Sequence, residues 1–221
     1  MSYLSWNSET VTDFSPSNVS ARYNQGYVFT RLSKGVMRQT RSLRIDLSKF
    51  ELSSENRRVL RKIDGLWTTV CGLPLENYTW EIAKLAKDFY DSKFGKGVFS
   101  ANKVKELLTD EKKSNFNLLL SYSPPRGYAI CYENEGILHY AYPFYNLSAV
   151  NGQLSNVGMG MMLRAILYAK ESGKQYIYLG SAQRPGDIYK SQFTGLEWFD
   201  GKTWKSDLSE LKESLNLKST I

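Results

Sequence analysis

The stretch Asn156–Phe193, NVGMGMMLRAILYAKESGKQYIYLGSAQRPGDIYKSQF, decides how the rest of this sequence is read. It opens with the glycine pair Gly158 and Gly160, continues through an apolar periodic segment, and reaches Tyr176-Ile177-Tyr178-Leu179-Gly180. A loop rich in Gly, Pro and charge then leads to Tyr189-Lys190 and Phe193. The periodic segment predicts an amphipathic helix, and the YIYLG run predicts a buried strand. A glycine turn opening a helix leaves backbone N–H groups unpaired at the positive end of the helix dipole, which suits a phosphate or another anion. The same glycines also serve as plain punctuation, and both readings stand at this point.

Upstream, Phe116–Tyr122, Tyr128–Tyr132 and Ile137–Tyr145 read as three strands, with Pro124–Gly127 and Glu133–Gly136 as their turns. Downstream, Asp200-Gly201 between Trp198 and Trp204 marks a hairpin, and Ser206 is placed to cap a short last helix. In the first half, Gly26–Leu32 and Ser42–Leu47 alternate as strands do, with Leu43, Ile45 and Leu47 on one face. Ser53 or Ser54 can cap a helix whose Val59, Leu60 and Ile63 turn inward while Arg57, Arg58, Arg61 and Lys62 stay outside. Tyr78–Lys93 reads as a helix capped at Thr79, with Trp80, Ala83, Phe89 and Tyr90 in the core. Phe99-Ser100 opens another, where Phe99 and Val104 have the spacing of a hydrophobic staple. The chain thus divides into a loosely held lead-in over 1–20, a basic β/α portion over 21–115, and a portion over 116–221 that carries the deciding stretch.

The 221 residues carry a net charge of +7. Its placement is the informative part. Residues 22–62 hold eleven Lys or Arg (Arg22, Arg31, Lys34, Arg38, Arg41, Arg44, Lys49, Arg57, Arg58, Arg61, Lys62) against Asp46, Glu51 and Glu55. That block alone carries +8, eight of its cations are Arg, and Tyr23, Tyr27, Phe29 and Phe50 lie among them. Such a block reads as a footprint for a polyanion, with arginine forks for phosphate and aromatic faces for bases, or as a solvated surface with a basic bias.

No apolar run approaches the roughly 20 residues of a membrane span, and the N-terminus shows no basic-then-apolar leader. Cys71 and Cys131 lie in apolar context and read as two buried free thiols of a reducing, cytoplasmic compartment. One histidine, His139, and two cysteines cannot assemble a Cys/His zinc site, so no metal is expected.

Several motifs recur together: Arg44-Ile45, then Phe50, Ser53 and Arg57-Arg58; Phe144-Tyr145 before the glycine turn; then Gly173, Tyr176, Tyr178-Leu179-Gly180, Tyr189-Lys190 and Phe193. In this order they resemble the arginyl-tRNA–protein transferase family, whose fold is that of the GNAT acyltransferases. The resemblance runs from Tyr23 to Trp204 in scattered motifs. It implies an α+β fold in which a mostly antiparallel mixed sheet is flanked by helices. It also implies transfer of an amino acid from aminoacyl-tRNA to the N-terminal α-amine of a protein or peptide, with the tRNA as co-substrate and no resident cofactor. Two departures limit the transfer of detail. The family's cysteine cluster, which would fall between Tyr27 and Arg44, is absent; and the aromatic residues that usually follow YLG are replaced by Ser181-Ala182-Gln183-Arg184.

An aminoacyl ester is already activated, so such a site must align ester and amine, remove a proton and steady an oxyanion. The resemblance assigns oxyanion contact to Tyr178–Gly180 and phosphate or terminal-adenosine contact to Gly158 and Gly160. Asp187 reads as base, as reader of a cationic amino acid, or as a turn residue; Tyr189 and Lys190 line the same pocket with Tyr178, and the resemblance counts Gly180 and Phe193 among the substrate- or tRNA-binding residues. Arg44, Arg57, Arg58 and Arg61 form the tRNA side. His139 reads as a packed, hydrogen-bonded residue. The alternatives are an acetyl-CoA-dependent GNAT N-acyltransferase, whose pyrophosphate loop would lack its leading cation at Ser155, and a non-catalytic tRNA-binding protein on the same scaffold.

Overall fold

A computed structural model describes residues 4–124, 126–147 and 156–216. The fold is α+β, a mixed sheet flanked by helices, and the chain divides into two compact units. Unit 1 comprises 1–53, 134–139 and 169–221; unit 2 comprises 54–133 and 140–168. These units interleave along the chain.

Unit 1 begins where a loose lead-in was expected. β1 (Asn7–Thr10) pairs antiparallel with β3 (Val36–Gln39), which also pairs with β2 (Tyr27–Phe29). Between them lies α1 (Pro16–Asn24), with Pro in its first turn, where the missing N–H costs nothing. The Asp13 carboxylate accepts from the Ser15 backbone N–H, and Val19 and Tyr23, one turn apart, are fully buried. Polar composition hid this helix because only one narrow face is apolar. Gly35 (φ +79°) is fixed by both backbone and space: a Cβ there would lie 2.2 Å from the Val11 carbonyl oxygen.

β4 (Ser42–Asp46) follows. Ser42 to Ile45 are all buried, rather than alternating, so both faces of β4 are covered; in the sheet it has β10 (Leu196–Phe199) on one side and β9 (Tyr176–Ser181) on the other. β9 in turn pairs in parallel with the start of β8 (Ile137–Tyr145), over Ile137–His139 and Tyr176–Tyr178. The hairpin at Asp200-Gly201 forms as expected, with β11 (Trp204–Lys205) on β10. Unit 1 closes with a 3-10 helix (Pro185–Gln192) and a C-terminal helix (Leu208–Asn216). The cap of that last helix is Asp207, whose carboxylate accepts from Ser209 N–H, rather than Ser206.

Unit 2 holds α2 (Ser54–Lys62), β5 (Trp67–Gly72), α3 (Trp80–Phe94), α4 (Ala101–Thr109), β6 (Leu118–Ser123), β7 (Gly127–Glu133), the rest of β8 and α5 (Val157–Glu171). β5, β6 and β7 pair antiparallel in sequence. Ser100 caps α4 by accepting from Lys103 N–H, and Phe99 and Val104 are both buried. In α3, Ala83, Phe89 and Tyr90 are buried as periodicity demands, but Trp80 is 64% exposed. First-turn residues escape the core more readily than the periodic pattern implies. Of the turn at Pro124–Gly127, Pro125 lies outside the described residues, as does Ser155.

Candidate functional site

The β9 strand carries an irregularity at the residues singled out by sequence. Ser42 pairs with Ser181 and Arg44 with Tyr178, so Leu179 and Gly180 together stand opposite Leu43. This is a β-bulge, a device that re-aims backbone and is frequent beside active sites. Gly180 has φ +75°, and a Cβ on it would meet nothing within 4 Å. The glycine is demanded by backbone conformation, and the space beside it is open.

Lys190 braces this bulge. Its ammonium donates to the carbonyls of Leu179 at 3.0 Å and Ser181 at 3.4 Å, one on each side of Gly180. Burial lowers its pKa, and the charge of Asp187 opposes that shift. Asp187 sits in the first turn of the 3-10 helix, where its Oδ2 accepts from the backbone N–H of Gln183 (2.8 Å) and of Arg184 (3.0 Å). The turn role expected for it is therefore real, and among the described residues its hydrogen bonds fall on Oδ2 alone. Tyr189 is 44% exposed, with the Lys190 ammonium 5.9 Å from its ring centre. Phe193 is buried, 6.4 Å ring to ring from Phe50, and so belongs to packing rather than to a substrate face.

Beneath β9 lies an aromatic cluster. His139 is 2% exposed, and its Nδ1 lies 2.9 Å from the Tyr23 hydroxyl. That hydroxyl also accepts from Phe29 N–H at 3.4 Å, and the imidazole tautomer sets which of the Tyr23–His139 pair donates. Burial first, and the Lys190 charge second, bring the His139 pKa down to about 3. The imidazole is thus neutral throughout the physiological range, as a packed histidine should be. The Tyr23 ring lies 4.8 Å from that of Tyr178, which is fully buried, and burial pushes the Tyr178 pKa up to about 12. The Tyr178 side chain is part of this core, so it does not line an open pocket with Tyr189.

Arg44 corrects the tRNA-facing expectation outright. Its Nε and Nη2 each lie 2.8 Å from Glu197 Oε2, its Nη1 donates to Asn24 Oδ1 at 3.0 Å, and its guanidinium lies 4.0 Å from the ring centres of both Tyr176 and Trp204. Only 7% of the residue is exposed. Its charge is spent inside the protein and offers nothing to a phosphate. Arg57, Arg58 and Arg61 are exposed on α2 as expected, although Arg58 forms a two-pronged pair with Glu55.

The glycine pair opens α5 and packs closely there. Gly158 and Gly160 lie inside the first turns of α5, and neither has positive φ. A Cβ on Gly160 would lie 2.5 Å from Ile63 Cδ1, and one on Gly158 would lie 3.2 Å from the Tyr145 ring. Gly160 is demanded by close helix packing within unit 2, and Gly158 fits tightly beside Tyr145. Cys131 is buried and Cys71 half-buried, and both thiols are free. Unit 2 also holds a cavity of about 600 Å³ lined by residues that include Cys71, Leu73, Glu76, Ile82, Leu119 and Tyr128. None of the expected site residues borders it.

Among the described residues, no group of three or more His, Cys, Asp and Glu is placed to hold a metal ion, and no helix is long and apolar enough to cross a membrane. The partners that define the site, Tyr23, Asn24 and Glu197, escaped sequence reasoning. Glu197 is 153 positions from Arg44 and Tyr23 is 116 from His139, with no local pattern to link them.

No family model matches the chain, and no curated protein matches it. Among solved structures it is similar to the L-PGS of Bacillus licheniformis, at 15% identity and a TM-score of 0.45, over 76% of this chain and 52% of that one. It is similar also to the C-terminal domain of a protein described as a lysylphosphatidylglycerol synthetase from Agrobacterium fabrum, at 14% identity and 0.46, over 80% and 55%. A third likeness is to a GCN5-related glucosamine N-acetyltransferase region in a fungal multi-domain β-N-acetylglucosaminidase, at 12% identity and 0.47, over 86% and 22%. The chain spans about half the length of the first two chains.

Proposed function

We propose that this protein is an aminoacyl-tRNA-dependent transferase with a GNAT-like fold, which moves an amino acid from tRNA to the N-terminal α-amine of a protein or peptide. The observation that carries the reading is the bulge at Leu179–Gly180, opened by a left-handed glycine and braced by the Lys190 ammonium. It leaves backbone beside open space at the end of β9, flanked by a buried cation and an acidic residue. Those are the elements an ester aminolysis needs: a place for the carbonyl oxygen, a positive charge close to it, and a carboxylate for the incoming amine.

In this reading Lys190 holds the bulge and lends its field to the developing oxyanion. Asp187 is fixed by two backbone N–H groups through Oδ2, and its Oδ1 receives the proton or the ammonium of the incoming group. Tyr189, exposed beside Lys190, offers a ring for the terminal adenine. Arg57, Arg58 and Arg61, exposed on α2 of unit 2, are taken as tRNA phosphate contacts in their own right, apart from the unit 1 site. Arg44, Tyr178 and Phe193 drop out as contacts and become supports.

The test is incubation of the purified protein with a set of labelled aminoacyl-tRNAs and peptides that differ in their N-terminal residue. Label should pass to peptide, and Asp187→Asn should slow that passage by about 10²- to 10⁴-fold if Asp187 is the base, with tRNA affinity nearly unchanged. If Asp187 reads the amino acid instead, the mutant keeps turnover and changes its donor. Transfer from acetyl-CoA with none from any aminoacyl-tRNA would overturn the proposal.

A further inference from the structure

Three residues before the saturated Arg44, a second arginine has the opposite surroundings. Arg41 sits between β3 and β4, in a tight turn where Ser42 N–H donates to the Thr40 carbonyl, and its own carbonyl accepts from Ala182 N–H at 2.9 Å, just past the β9 bulge. The residue is 7% exposed, as buried as Arg44. Among the described residues, its Nε and Nη1 are buried and meet no hydrogen-bond acceptor, and no ion pair forms on it. An arginine cannot shed its proton to escape this position. Burial accordingly depresses its pKa, with no carboxylate near enough to offset the effect.

The polar side chains next to Arg41 in the chain, and those flanking Ala182 opposite it, are already committed. Thr40 Oγ1 donates to the Leu4 carbonyl at 2.7 Å, and Gln183 Nε2 donates to Thr40 Oγ1 at 2.8 Å and to Ser181 Oγ. These hydroxyls and amides satisfy one another and leave the guanidinium alone. A buried cation without a partner is strongly unfavourable, whereas the same cation with a bidentate oxyanion is stabilising. Among the described residues no acceptor meets Nε or Nη1, so the guanidinium keeps two donors that a forked oxyanion would satisfy.

We infer that Arg41, at the Thr40–Ser42 turn beside the end of β9, is the receptor for a phosphate-type oxyanion of a bound substrate. The residual exposure gives a small anion its way in. The inference rests on the proposed function only in naming the source: a phosphodiester at the acceptor end of tRNA would bring its oxyanion to the same end of β9 as the open space at Gly180. A free phosphate has the same chemistry.

The test uses the full chain and thermal unfolding in sodium phosphate, in sodium acetate, and with a short single-stranded RNA ending in CCA, all at constant ionic strength. Phosphate at about ten times its dissociation constant should raise Tm by about 3 to 5 °C. Arg41→Met should abolish the rise and should also raise the Tm of the anion-free protein, because it removes an unpaired buried charge while keeping volume. Arg41→Lys should keep part of the response. A response to RNA but not to phosphate names tRNA as the source, and a response to phosphate alone names a small phosphate ligand. A rise with acetate equal to that with phosphate would overturn the phosphate assignment. A Tm that ignores all three, a response unchanged in Arg41→Met, or a lower anion-free Tm in that variant would overturn the site itself. Because no amino-acid transfer is measured, failure here and failure of the transferase reading can be told apart.

Discussion

The interior of unit 1 around β4 and the α2 helix of unit 2 draw on the same basic block, yet they use it in opposite ways. On β4 the chain encloses Arg44 between two aromatic rings and completes it with a carboxylate and an amide. On α2 it displays Arg57, Arg58 and Arg61 in solvent. A net charge of +8 over forty-one residues is therefore not a surface potential. Burial, pairing and exposure divide the cations into supports and contacts, and only the second kind can meet a polyanion.

Breaking the support side should have the largest effect. Arg44→Met strands Glu197 in a half-closed site and should cost about 3–5 kcal/mol in urea unfolding, whereas adding Glu197→Met should recover most of it. A cost equal to that of an exposed arginine would erase the contrast between the two regions.

The neighbouring His139 sharpens the same contrast through pH. Its pKa lies near 3 in the folded protein against an ordinary 6.5, so the unfolded chain binds a proton more readily between those values. Stability from this residue is complete above pH 6.5 and falls as pH drops towards 3. The loss should be about 2 kcal/mol between pH 6.5 and 5. Urea midpoints across that range should show it, and His139→Gln should flatten the profile. Nothing comparable is expected from α2, whose basic side chains lie exposed.

In unit 2 the sensitive point is steric. Gly160→Ala places a methyl 2.5 Å from Ile63 Cδ1 and should cost about 1–3 kcal/mol, with Ile63→Val relieving part of it. An unaffected melting point would return Gly160 to the role of a ligand-binding glycine. The smallest structural effect belongs to the exposed arginines. Arg57→Ala with Arg58→Ala should leave Tm almost unchanged and lower the salt dependence of tRNA binding by about one to two phosphate contacts. An unchanged slope would move the polyanion footprint elsewhere.

Local signals carried much of the fold. β6, β7, β8, β9 and the Asp200-Gly201 hairpin were legible because alternation and turn residues act within a few positions. Ser100 capping α4 was legible for the same reason. β1 and α1 were not, since a short edge strand and a helix with one narrow apolar face look polar in composition. Neither was β5, where Trp67 is 77% exposed and four of its six residues lie open to solvent, so that no buried face marks it.

The sequence by itself determined the place of the glycine-bearing β9 strand and the residue types at its end, while the α+β class came only with the family resemblance. The strand's place follows from periodicity and backbone chemistry, which are properties of neighbours in the chain. Tertiary structure alone decided that Arg44 is a support, that Gly158 and Gly160 pack closely, that Lys190 braces the bulge and that Arg41 lacks a counter-charge. Each depends on partners that become neighbours only on folding, because a cation's role is set by the dielectric and the acceptors around it rather than by the letter that encodes it.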